Sequence, residues 1–127
     1  MEDRAKWVAD LHERLIEFAV RVLNVVEALP NSRIGQHLGS QLVRSGTSPA
    51  PNYAEAQSAE SRRDFIHKMK IALKELRETQ VWIEIIKRKS LCDPPDRVDL
   101  LLQECNELIA IFVTSINTAR KNMKNTR

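Results

Sequence analysis

The chain has 127 residues with a net charge of +3, 43% hydrophobic and 29% charged side chains. That is the balance of one ordinary globular domain, which excludes wholesale disorder, and no apolar run nears the roughly 20 residues that span a bilayer. Three glycines and five prolines leave too few turn residues for a sheet, so an all-α chain is expected.

Residues 5–29 place Val8, Leu11, Leu15, Phe18, Val22, Val25 and Leu29 at alternating spacings of three and four, a heptad seam along one helix face. A second line of Ile16, Ala19, Leu23 and Val26 lies beside it. This widens the apolar face to that of a bundle core, or of a core plus a subunit contact. The first helix is expected over about 3–29, ended by Pro30, with Asn31 or Ser32 capping the next.

The second helix, about 32–57, is the least regular. Ile34, Leu38 and Leu42 keep the helical period, while Gly35 and Gly39 offer a close-packing face at a cost of roughly 1 kcal/mol each against alanine. In "RSGTSPAPNYAEAQ", Pro49 removes the hydrogen bond to the Ser45 carbonyl and Pro51 the one to Thr47. Ser45, Thr47 and Ser48 carry hydroxyls able to occupy freed backbone groups, and "NYAE" has the residues of a capping box that restarts the helix. A kink or brief interruption near Gly46–Pro51 is therefore expected, with an open loop as the alternative.

The third helix, about 60–90, repeats the seam through Phe65, Met69, Ala72, Leu76, Thr79, Ile83 and Ile86, with Ser61 and Asp64 as a capping-box start. The fourth, about 94–123, carries Leu102, Cys105, Ile109, Phe112, Ile116, Ala119 and Met123, with Asp93 as its cap and Pro94 in the first helical position. Four helices with short connections make a single up-down-up-down four-helix bundle over residues 1–127. Antiparallel packing of the second helix on the third pairs Arg44 with Glu75 or Glu78, Ser48 with Lys70 and Asn52 with Ile66, to about one helical turn. Arg44, Ser48, Asn52, Glu55, Glu75 and Glu78 thus form a candidate structural polar network.

Chemistry-bearing motifs are sparse. His12, His37 and His67 lie on three helices with no second ligand at helical spacing, so they read as surface histidines and not as a metal site. The serines near Gly46 lack a Gly-x-Ser-x-Gly elbow, and no glycine opens a phosphate loop. Cys92 and Cys105 form no Cys-x-x-Cys pair and read as reduced packing residues. Glu75 and Glu78 share a face but lack the Glu-x-x-His motif of di-iron bundles, and nearby arginines and lysines favour ion pairing. No catalytic residue, metal or cofactor is expected. The charged N-terminus "MEDRAKWVAD" lacks the apolar core of a signal peptide, giving a cytoplasmic expectation.

Positive charge is concentrated. Residues 60–90 sum to +4, and the last eight, "RKNMKNTR", carry +4 as well. Arg62, Arg63, Lys70, Lys74, Lys87, Arg88 and Lys89 on the third helix, with Arg120, Lys121 and Lys124 in the tail, are candidate phosphate contacts to nucleic acid. Lys68, Arg77 and Arg127 add to the same charge. The plainer reading is the solvated face of an amphipathic helix, and the interleaved Glu75, Glu78 and Glu84 are compatible with it.

The run "RSGTSPAPNYAEAQSAESRRDFIHKMKIALKELRETQVW" resembles the four-helix-bundle proteins encoded in intervening sequences of bacterial 23S ribosomal RNA genes. Arg44, Ser45, Ser48, Asn52, Ala54, Glu55, Ser61, Phe65, Ala72, Glu75, Glu78, Thr79 and Trp82 carry the resemblance, with "FA" at 18–19 and "LP" at 29–30. It implies a homo-oligomer, a pentameric barrel of bundles, with no enzymatic activity assigned. It extends to accessory proteins of diversity-generating retroelements, basic pentamers that engage nucleic acid and a reverse transcriptase. A nucleic-acid-binding adaptor for RNA or DNA is the leading expectation, and a protein-interaction scaffold the alternative.

Overall fold

In the computed structural model, which describes residues 2–125, five α-helices and one 3₁₀ turn make four antiparallel rods. Helix α1 spans Glu2–Ala28, α2 Arg33–Thr47, α3 Pro49–Gln57, α4 Arg62–Arg88 and α5 Asp99–Asn125. The architecture is the up-down-up-down bundle, with α2 and α3 as one bent rod. The rod of α2 and α3 packs against both α1 and α4, and α5 likewise touches both, so α1 and α4 occupy opposite corners.

The seam of α1 is buried at Leu11, Leu15, Phe18, Val22 and Val25. Its second line divides. Val26 packs against the core, whereas Ile16 and Leu23 are each 39% exposed and stand with Val20 on the outer face. Ser32 supplies the next cap, its hydroxyl accepting from the Gly35 N–H at 3.1 Å. Gly35 then takes the inward position, because a Cβ there would sit 2.0 Å from the Pro30 carbonyl oxygen. Ile34, expected in the apolar line, consequently points outward and is 52% exposed.

The bend is gentle because Ser48 keeps right-handed helical dihedrals. Pro49 begins α3 at a position where its missing N–H costs nothing. The restart therefore falls three residues before "NYAE", and Asn52 is not its cap. Asn52 lies inside α3 instead, donating from Nδ2 to the Ser48 carbonyl at 3.0 Å and to the Ser48 hydroxyl at 2.9 Å. The Thr47 hydroxyl donates back to the Val43 carbonyl at 2.6 Å. Gly46 sets the spacing of α1 and α2, since a Cβ would meet both Val22 methyls at 2.6 and 2.9 Å.

Helix α4 begins with Ser61 accepting from the Asp64 N–H at 3.0 Å. It ends through Ser90, which has a positive φ of 56°, with the Leu91 N–H reaching back to the Ile86 carbonyl. This six-to-one bond is a Schellman closure. The fourth rod starts later than expected. Pro94 stays extended because Pro95 follows it, and a residue preceding proline is pushed out of the helical region. A 3₁₀ turn over Pro95–Val98 intervenes, and α5 proper begins at Asp99. Its buried line runs through Leu101, Cys105, Leu108, Phe112, Ile116 and Ala119, while Leu102, Ile109 and Met123 flank it.

At mid-bundle two hydroxyls are fully buried and paired. Thr79 Oγ1 lies 2.8 Å from the Glu75 carbonyl and 2.9 Å from Ser45 Oγ. Having one proton, Thr79 donates it to the carbonyl and accepts from Ser45. Both cysteines are buried and free, and Cys105 Sγ donates to the Leu76 carbonyl at 3.3 Å. Burial pushes the Cys105 thiol up to about 12.

Candidate nucleic-acid interface

The basic residues of α4 fall into two groups. Toward its start, Arg62, Arg63, Lys70, Lys74 and Arg77 are exposed, and none meets a carboxylate at ion-pair distance among the described residues. Toward its end, Lys87 Nζ stands 2.7 Å from Asp99 Oδ1, and Arg88 Nε 3.7 Å from Glu84. The hydrogen bond to Asp99 and its charge raise the Lys87 pKa. Lys89 is exposed as the C-terminal cap, beside the negative end of the helix. So one half of the basic stripe faces solvent without internal partners, while Lys87 and Arg88 tie α4 to α5 and to itself.

Because α4 and α5 run antiparallel, the start of α4 lies beside the end of α5. Arg120, Lys121 and Lys124 are exposed on the last turns of α5, at the same end of the bundle as Arg62 and Arg63; Arg127 lies outside the described residues. Arg4 joins the same end, lining a common cleft with Arg62. Arg62 and Arg63 also sit in the first turn of α4, where the helix dipole disfavours cations. Neither helix stability nor an ion pair accounts for them there.

The candidate polar network resolves into three separate contacts. Arg44 reaches from α2 to α4, with NH2 2.9 Å from Glu78 and NH1 3.2 Å from Glu75. Its pKa is raised, first by the Glu78 hydrogen bond and then by the Glu75 charge. Ser48 and Asn52 bond to each other on the bend, and Glu55 pairs with Lys68 at 3.5 Å. The structure does not join these into one cluster. Each fastens the bent rod locally or to α4.

Two features lie beyond the sequence reading. Arg14 forms a two-pronged pair with Glu104, Nε to Oε2 at 3.1 Å and NH2 to Oε1 at 2.6 Å, joining α1 to α5. Both residues sit on polar helix flanks whose opposition depends on the closed bundle. The second is Tyr53, which is 1% exposed with its ring edge-on to Phe112 at 5.8 Å. Its hydroxyl has no hydrogen-bond partner among the described residues. A tyrosine four residues after the inward Pro49 lies on the same helix face, which signals burial, but nothing in the sequence signals the unpaired hydroxyl.

Among the described residues no three His, Cys, Asp or Glu side chains are grouped to hold a metal ion. Nor is any helix there long and apolar enough to cross a membrane.

The model of the 23S rRNA-intervening sequence proteins matches residues 9–114. The chain belongs to that family. Among solved structures, a crystal structure of a protein with unknown function from the S23 ribosomal protein family of Bacteroides thetaiotaomicron superposes with a TM-score of 0.77 at 34% identity. The match covers 84% of this chain and 97% of that one. No curated protein matches. For an intervening-sequence protein the matched span takes in the seam of α1, the whole bent rod, α4 and most of α5. It therefore includes the Arg44 contacts and the Ser45–Thr79 pair. The last turns of α5, with Arg120, Lys121 and Lys124, lie beyond it.

Proposed function

We propose that this intervening-sequence protein is a non-catalytic, self-assembling bundle that binds nucleic acid as an adaptor in the cytoplasm, the whole chain acting as one folded unit. The observation that carries the reading is the gathering at one end of exposed cations that meet no carboxylate among the described residues: Arg62, Arg63, Lys70, Arg120, Lys121 and Lys124. Cations without internal partners are free to replace the counterions of a phosphate backbone, the chief source of sequence-independent affinity. Lys87 and Arg88, engaged with Asp99 and Glu84, drop out of the proposed surface.

Assembly is supported by two outer faces on opposite corners. That of α1 sets Ile16, Val20 and Leu23 among the exposed Glu13, Glu17 and Glu27; that of α4 sets Val81 and Ile85 beside Lys74 and Arg77. An acidic-apolar face and a basic-apolar face on opposite sides fit each other between two copies. Such a head-to-tail contact closes into a ring when the rotation permits. A pentamer is the ring number the family resemblance implies.

Size-exclusion chromatography with light scattering and an absorbance ratio tests both parts together. The expected result is one multimeric species that retains RNA at about 50 mM salt and sheds it by about 200 mM. Val20→Glu should yield monomers. A monomeric wild type free of nucleic acid at low salt overturns the reading. Salt-insensitive capture of a protein without RNA would favour the alternative, a protein-interaction scaffold, for which the exposed Ile16, Val20 and Leu23 are the motivating observation.

A further inference from the structure

Where α1 begins, the α3–α4 connection crosses and α5 ends, the bundle opens into a cleft of about 840 Å³. Its walls mix apolar residues such as Phe65 and Met69 with Ser61, Thr118 and the guanidinium groups of Arg4 and Arg62; Glu60 also lines it. Trp7, 49% exposed, stands in the same lining. Tyr53 also lines the cleft, and its buried hydroxyl lacks a partner among the described residues. Burial pushes this phenol up to about 12, and the Arg4 charge pulls the other way. Tyr53 and Arg4 line the same cleft, while the Tyr53 ring meets Phe112 in the core.

A buried donor without an acceptor costs stability, and a chain that needed only a packed ring would be served by phenylalanine. An exposed indole beside two unpaired guanidinium groups is the chemistry that holds unstacked bases. We propose that this cleft takes one unpaired nucleotide of a single-stranded nucleic acid. The base stacks on Trp7, the Tyr53 hydroxyl donates to a base oxygen or ring nitrogen, and Arg4 and Arg62 hold the phosphate. Residues 3–7 are exposed throughout, so little packing opposes a shift of this wall that would admit the base. The mixed polar and apolar lining fits a nucleotide better than a lipid chain. A continuous duplex would leave Trp7 and Tyr53 without a role. The inference rests on the nucleic-acid reading above, to which it adds strand preference and a base-binding position.

The test is equilibrium binding of AMP, with inorganic phosphate as control, together with retention of single-stranded and duplex RNA of equal length. AMP should quench the tryptophan fluorescence saturably and phosphate should not. Trp7→Ala should weaken AMP and single-stranded RNA by about tenfold while leaving duplex retention unchanged. Tyr53→Phe should weaken AMP binding severalfold yet raise the melting temperature of the free protein, a pair of opposite effects that a purely structural tyrosine would not produce. Absence of AMP binding at about 10 mM, or both variants binding like wild type, overturns the inference. If RNA is retained equally in both forms and Trp7→Ala changes neither, the cleft falls and the adaptor reading stands. If AMP binds saturably while no RNA is retained, the adaptor reading falls and the single-strand proposal with it, the cleft then being a site for a free mononucleotide.

Discussion

Two buried hydroxyl sites in this bundle are built in opposite ways. At mid-bundle, Ser45 and Thr79 are 0% exposed and mutually bonded, with the Glu75 carbonyl taking the remaining proton. At the open end, Tyr53 is almost as dry, yet its hydroxyl has no partner among the described residues. The first arrangement fixes α2 against α4 and has no spare capacity for a ligand. The second leaves a donor unsatisfied next to a cleft, an arrangement that packing alone does not call for. The satisfied pair fixes two helices to each other, whereas the Tyr53 hydroxyl stands without a partner among the described residues beside an open cleft.

Substitutions can break this comparison, beginning with the largest effect. Phe112→Ala should cost about 3–5 kcal/mol in chemical denaturation, because it empties a fully buried site and removes the edge contact to Tyr53. Thr79→Val keeps the shape but leaves the Ser45 hydroxyl without its acceptor, while the Glu75 carbonyl keeps only its helical N–H. A loss of about 1–3 kcal/mol is expected, and a neutral result would mean that the mid-bundle pair does not specify the packing. Gly46→Ala gains about 1 kcal/mol of helix propensity but drives a methyl into Val22, an overpacking that costs about 1–3 kcal/mol. The backbone of α1 must then move, so a net loss should appear as a lowered melting temperature.

Ser90→Gly should act in the other direction. It relieves a positive φ of 56° in the Schellman closure of α4, and a gain of up to about 1 kcal/mol is expected from the same measurement.

The Cys105 thiol gives a pH test of the core. Its folded pKa, about 12, lies above the usual thiol value. The stability it contributes is therefore complete below the unfolded pKa and lost as pH climbs toward the folded one. The stability gap between wild type and Cys105→Ala in urea should narrow between about pH 8 and about pH 11.

Much of the architecture is legible in the sequence because the seams of α1 and α4 are strict heptads and Pro30 and Ser61 punctuate them. Pro49 and Pro51 equally announce the bend. The misplacements have local causes. Pro94 looks like a helix start until Pro95, which forces it extended, is taken into account. Ile34 fits the helical period, but Gly35 is needed inward against the Pro30 carbonyl. In α5, Leu101 and Leu108 point inward where the heptad reading places Leu102 and Ile109, since adjacent apolar residues let the seam slip by one position. At the candidate interface, the count of cations is visible in sequence, but the difference between them is not. Lys87 lies within pairing distance of Asp99 while Arg62 and Arg63 meet no carboxylate among the described residues, and only the packed helices reveal it. The Arg14–Glu104 pair and the Tyr53 hydroxyl are likewise products of tertiary contact.

The two ends of the cationic stripe allow the most direct test. RNA retention should be followed against salt for wild type, for a charge reversal at Arg62, Arg63, Arg120 and Lys121, and for a reversal at Lys87, Arg88 and Lys89. The first variant should lose retention at about 50 mM salt, while the second keeps most of the wild-type affinity and salt slope. Equal loss in both variants, or none in the first, would contradict the assignment of nucleic-acid binding to the open end of the bundle.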